Sequence, residues 1–231
     1  MPLVAVAVCP HPPLLVPEVA GGAAPELDAL RAACATAVAT LADAALDRLV
    51  ILGSADRTAA WDDTFATSFA PWGVPLSVRP GAPGLPLSLT VGTWLVDRYF
   101  HPASPVPVER HSVAADLSPS RCRSLADALR ASDRWGLLVM GDGSACRGEK
   151  SPGYADPRAE PFDSAVATAL AAADSSALLA LDPVVAAELR VAGRAPWQVL
   201  ASAASGSWRG SLLADEVPYG VAYFVATWRP A

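Results

Sequence analysis

Lysine is almost missing from this chain: Lys150 stands alone among seventeen basic residues, and the rest are arginine. Together with the abundance of alanine and proline, this reflects a bias towards GC-rich codons, so alanine-rich stretches are discounted as helix signals. The four cysteines, Cys9, Cys34, Cys122 and Cys146, contain no C-x-x-C pair. That excludes a zinc knuckle and a thioredoxin-like motif and leaves buried or incidental thiols as the expectation. No run of eighteen uninterrupted apolar residues is present, which excludes an ordinary membrane-spanning helix. The apolar first twenty residues lack a positive start and are broken by Pro10, Pro12, Pro13 and Pro17, so no signal peptide is read there and a cytoplasmic location is expected. Basic residues number 17 against 23 acidic ones, a net charge of −6 with no basic block. Coating of duplex nucleic acid needs clustered cations and is excluded as a function class.

What the chain does have is apolar side chains, 52% of its 231 residues, enough for one sizeable core. A single domain over 1–231 is expected. Leu3 to Val8 reads as a strand buried on both faces, ending abruptly at Cys9-Pro10-His11. A helix is predicted from Pro25 to about Leu46, because proline suits a first turn and Glu26 and Asp28 complement the helix dipole. Leu49 to Leu52 is the next strand, closed by Gly53-Ser54-Ala55-Asp56. The Pro/Gly-rich stretch 71–86 allows at most a short strand near Leu76 to Val78. Leu87, Val91, Trp94, Leu95 and Tyr99 have helical spacing. A strand near Val106 to Arg110, a helix from Ser118 to Arg130 and a strand from Trp135 to Met140 follow. Three helices, from about Pro161, Pro183 and Ala195, lead to two closing strands, Ser211 to Ala214 and Gly220 to Trp228, read as an edge hairpin. Alternating β and α elements predict a three-layer α/β sandwich around a mostly parallel or mixed sheet.

Ligands of open α/β sheets collect beyond the carboxyl ends of strands. Three segments fall there: His11 with its prolines, Ser54 with Asp56 and Arg57, and the glycine-rich loop from Gly141 to Glu160. They offer His11, Ser54, Asp56, Asp142, Ser144, Arg147, Glu149 and Lys150 as candidate site residues. The loop nearly spells a phosphate-binding Walker A sequence, but Glu149 separates Gly148 from Lys150 and Pro152-Gly153 prevents the receiving helix. No G-x-S-x-G elbow marks Ser54 or Ser144 as a nucleophile. His101 and His111 flank a proline-rich segment and are read as exposed or capping residues.

The opening Cys9-Pro10-His11-Pro12-Pro13-Leu14-Leu15-Val16-Pro17-Glu18, the strand end Gly53-Ser54-Ala55-Asp56, Leu85-Pro86-Leu87-Ser88-Leu89-Thr90, Val139-Met140-Gly141-Asp142-Gly143-Ser144, Pro161-Phe162-Asp163 and the closing Pro218-Tyr219-Gly220-Val221 together resemble the class III extradiol ring-cleavage dioxygenase family, in an alanine-rich actinobacterial branch. The resemblance implies a non-haem Fe(II) oxidoreductase in which two histidines and a glutamate hold the metal for a catechol-like substrate. His11 matches the first metal histidine. The second falls at or near Asp56, Ala145 stands where an acid/base histidine would follow Ser144, and no carboxylate matches the glutamate near Arg194-Ala195-Pro196-Trp197. His11 and Asp56 are therefore the candidate metal ligands, for Fe(II) or a harder divalent ion. Ser54, Asp142, Ser144, Arg147, Glu149 and Lys150 are the candidate substrate contacts. Two functions are carried forward: a dioxygenase-like protein acting on a small phenolic or acidic ligand, and a non-catalytic binding or scaffold protein on the same fold. Homo-oligomeric assembly stays open.

Overall fold

The computed structural model describes residues 3–82, 84–130 and 134–231. In chain order the elements are β1 (Leu3–Cys9), α1 (Pro17–Ala20), α2 (Asp28–Ala42), β2 (Arg48–Ala55), β3 (Ala59–Trp61), β4 (Thr67–Ser68), β5 (Ser77–Arg79), α3 (Leu87–Tyr99), β6 (Val108–Ala114), α4 (Pro119–Leu129), β7 (Trp135–Met140), α5 (Ala159–Ala172), α6 (Ser175–Leu179), α7 (Pro183–Glu188), α8 (Arg194–Ala203), β8 (Trp208–Glu216) and β9 (Tyr223–Pro230). Seven strands form one mixed sheet in the order β3-β6-β2-β7-β1-β9-β8. The middle four, β6-β2-β7-β1, are parallel, and antiparallel strands flank them on both sides.

Side chains of a strand alternate between faces, and the apolar runs here use both. Ala5, Ala7, Leu49, Ile51, Leu138 and Met140 enter the core beneath α2 and α3. Their chain neighbours Val6, Val8, Val50, Leu52, Leu137 and Val139 enter the opposite core, beneath α4, α5 and α8. The result is the three-layer α/β sandwich. The register brings Cys9 and Gly53 level with Met140, so β1 and β7 end together while β2 runs two residues farther, through Ser54 and Ala55, paired with β6. Gly53 is required there, because a Cβ would collide with the Ser88 Oγ. The Ser88 hydroxyl donates to the Ser54 carbonyl at 2.7 Å and locks the start of α3 onto the end of β2.

Boundaries moved where chain geometry overrode the sequence pattern. The helix expected from Pro25 to Leu46 is a 3-10 segment, Gly21–Leu27, followed by α2. Ala45, at φ 49°, then turns the chain towards β2. The strand expected over Val106 to Arg110 runs Val108–Ala114, paired along its length with β2. Short β3, β4 and α6 have too few residues to show a period. The closing hairpin occurs as expected, its first arm longer and its second shifted towards the carboxyl end, and it continues the sheet beside β1. Among the described residues no helix is long and apolar enough to cross a membrane.

Candidate functional site

Where β1 and β7 end side by side, the His11 backbone N–H donates to the Asp142 Oδ1 at 2.8 Å. The His11 Nδ1 lies 3.5 Å from the same oxygen, out of line for a hydrogen bond, and is buried without another partner. Burial pushes the Asp142 carboxyl above its ordinary value, partly offset by His11. The Tyr223 phenol is pushed up by its own burial and then by the Asp142 charge. Cys34, in contact with Cys9, is held well above the usual thiol range by burial first. Cys122 and Cys146 are raised by burial as well, so neither they nor Cys34 has the low value of a nucleophile. All four cysteines are free and buried.

The raised Asp142 carboxyl makes folding stability depend on pH. A group protonated more readily in the folded state contributes stability that is fully present below its unfolded value near 3.8 and is lost as pH rises through the raised folded value. Asp142→Asn removes that loss while keeping an acceptor for the His11 N–H. Denaturant unfolding should therefore show the variant gaining on the wild-type protein between pH 4 and pH 8. A constant difference across that range would mean that Asp142 is not held in a desolvated state.

Ser144 does not join this pair. Its backbone N–H donates to Asp163 Oδ1 at 2.8 Å and its hydroxyl to Oδ2 at 2.6 Å, with both side chains buried. Arg147 binds the same carboxylate at 3.3 Å and reaches Glu160 at 3.7 Å. Asp163 is pushed up by burial, opposed by its bonds from Ser144 and Arg147. Glu149 and Lys150 lie exposed farther along the loop. The first part of the loop is woven into the fold: Gly143 and Arg147 donate to the carbonyls of Ala222 and Gly220, and Ala145 donates to that of Leu189. The partners are remote in sequence, so nothing in the glycine-rich composition revealed this anchoring.

Ser54, at the end of β2, borders two hollows. One, about 510 Å³, lies towards Asp56, Arg57, Trp61 and Leu87. Asp56 is exposed there, and Arg57 stacks on the Trp61 ring at 4.8 Å. The other, about 630 Å³, runs from Ser54 and Asp116 under α7 to the first residue of α8. Asp182 builds its roof by accepting from the N–H groups of Val184 and Val185, with Pro183 at the first helical position. Arg194, missed as a site residue, lines this cleft although it is 2% exposed. It donates to the carbonyls of Ala115 and Leu117 and to Gln198 Oε1. Burial lowers its pKa.

The donor set does not fit the iron site implied by the resemblance. His11 is the one imidazole at the strand ends: the His101 Nε2–H donates to the Arg98 carbonyl, 3.0 Å away, and His111 sits within β6 beside Glu109. The segment to which the resemblance assigns the glutamate, from Arg194, carries a buried guanidinium and no carboxylate. Among the described residues no group of three or more His, Cys, Asp or Glu side chains is arranged to hold a metal. No serine hydroxyl among them shares a hydrogen bond with a histidine, the arrangement that activates an acyl-transfer nucleophile.

The fold thus defines a protein with a mixed-sheet α/β sandwich and an open cleft at the carboxyl ends of its parallel strands. No protein-family model matches the chain, and no curated protein matches it. Among solved structures it is similar to an uncharacterized protein of Escherichia coli K12, JW3007. The TM-score is 0.57 at 16% identity, over 98% of this chain and 99% of that one. Similarity at that identity extends to the fold alone.

Proposed function

We propose that this is a small-molecule-binding protein, built on a fold resembling that of the class III extradiol dioxygenases, that takes its ligand in the cleft between Ser54 and α7 without iron-dependent ring cleavage. The observation that carries this reading is the cleft itself. It lies at the strand ends, where open α/β sheets receive ligands, and its 630 Å³ falls in the range of small-molecule sites. One wall is apolar, from Pro183, Val184 and Ala186 to Val191 and Ala192, and Ser54, Asp116, Glu188, Arg190 and Arg194 supply polar groups around it. Val184, 66% exposed, presents an accessible apolar side chain on that wall. The donor set argues against the dioxygenase alternative, since a retained iron needs more than His11 and an exposed Asp56.

Two measurements test the proposal. Saturation-transfer NMR with phenol and benzoate should show contact with the wild-type protein and its loss in Ala187→Trp, which fills the cleft from an exposed helical position. Equal signals in both proteins would place binding elsewhere and defeat the reading. After anaerobic loading with Fe(II), catechol and protocatechuate should give yellow ring-opened product more slowly than about 1 s⁻¹, the low end of ordinary enzyme turnover. Faster product would restore the dioxygenase reading.

A further inference from the structure

Arg194 is buried, positively charged and without a carboxylate within ion-pair distance among the described residues; its hydrogen-bond partners are the carbonyls of Ala115 and Leu117 and the amide of Gln198, all neutral. A buried charge left without a counter-charge is costly. Carbonyl acceptors satisfy its geometry but leave its net charge in place; besides the buried Cys122 thiol, the acid that offsets it is Asp116, an exposed residue on the cleft rim. A second arginine on the same cleft, Arg190, also spends its guanidinium on a carbonyl, that of Pro152 at 2.8 Å. Glu188, the other acid there, is already engaged by Arg158 at 2.6 Å. The opening turn of α8, which begins at Arg194, adds the positive end of its dipole on the same side.

From this charge distribution we propose that the cleft is built for an amphipathic carboxylate: its anionic group sits against Arg194 at the strand-end floor, and its apolar body runs along Val184, Ala187 and Val191. The inference rests on the binding reading given above and adds the ligand's charge and orientation to it. An anion replaces the missing counter-charge of Arg194, whereas a divalent cation placed there would meet a guanidinium. Asp116 acts in the opposite sense, repelling an acid that enters with its charged end towards the rim.

The test uses 4-phenylbutyrate and its uncharged amide as matched probes, titrated into the full-length protein at low salt by calorimetry. The carboxylate should bind at least about tenfold more tightly than the amide, the usual margin for a hydrogen bond assisted by charge. That margin should shrink towards one in Arg194→Gln, persist in Arg194→Lys and widen in Asp116→Asn. Opposite effects from the two charge removals are not produced by a residue that merely supports the fold. The wild-type comparison stands even where Arg194→Gln does not fold. Equal binding of acid and amide, both lost in Ala187→Trp, would keep the cleft as a binding site and overturn the anionic assignment. Absence of binding by either probe, or binding unaffected by Ala187→Trp, would overturn both. Stoichiometric broadening of Ser54 and Asp116 amide signals by Mn²⁺ would show a cation site and equally overturn the proposal.

Discussion

Asp163→Ala should cost about 3–5 kcal/mol of folding stability, the range found when one member of a buried charged network is removed. Its carboxylate receives three donors: the Ser144 N–H, the Ser144 hydroxyl and the Arg147 guanidinium. Truncation leaves the first two inside the protein, Ser144 being wholly buried, without water to replace the lost acceptor. In a chain of this length the midpoint of thermal unfolding should fall by on the order of 10 °C. Asp163→Asn should cost less, because its amide oxygen still accepts one bond while its NH₂ is set against the remaining donors. Urea unfolding of the three proteins checks the order. A loss below about 1 kcal/mol for the alanine variant would mean that Ser144 finds another acceptor and that this carboxylate does not anchor the loop after β7.

Gly141→Ala should be the other severe substitution. Its Cβ would lie 2.5 Å from the Gly193 Cα, against ordinary carbon contacts of about 3.5–4.0 Å, and the obstacle is main chain that cannot rotate away. Gly193 has no room either, since a Cβ there would run into the Trp197 ring. The two glycines let the end of β7 and the start of α8 touch, where the Gly193 N–H donates to the Asp142 carbonyl at 2.8 Å. Overpacking of this kind costs about 1–3 kcal/mol, and a rigid obstacle places it at the upper end. Because α8 begins with Arg194, probe binding in the adjoining cleft should weaken along with stability. Gly148→Ala is the control: nothing lies within 4 Å of its would-be Cβ, so both readouts should be nearly unchanged.

Much of the architecture was legible in residue order. Continuous apolar runs such as Leu3 to Val8 and Trp135 to Met140 have to be buried on both faces, and helices on both sides of a sheet are the means of burying them. Pro119 and Pro183 stand at helix starts as read from the sequence, because a fixed φ there works locally; Ser118 makes no side-chain cap bond, whereas Asp182, not singled out, caps its helix. Ends that depend on distant partners were less legible. β6 extends to Ala114 because β2 supplies hydrogen bonds that far, and the short β3 exists because it pairs with β6.

The candidate site divides along the same line. That His11 and Asp142 lie beyond strand ends follows from the chain alone, and the strand order made them partners; Ser54, expected just past its strand, is instead held within β2 because β6 pairs with it. Which residues face the open cleft, and which are consumed by the fold, was a matter of contacts between segments far apart in sequence. Ser144 and Arg147 look chemically available in a glycine-rich loop, yet Asp163, nineteen positions from Ser144, draws both inward. Arg194 looks like one more surface arginine, yet the carbonyls that follow the end of β6 hold it beneath the surface at the cleft floor. Local sequence sets where a strand stops and a helix starts, because those are short-range backbone preferences. Whether a charged group is buried, paired or left facing a cavity is decided only when remote segments pack, because desolvation and hydrogen bonding depend on neighbours that the chain order does not name.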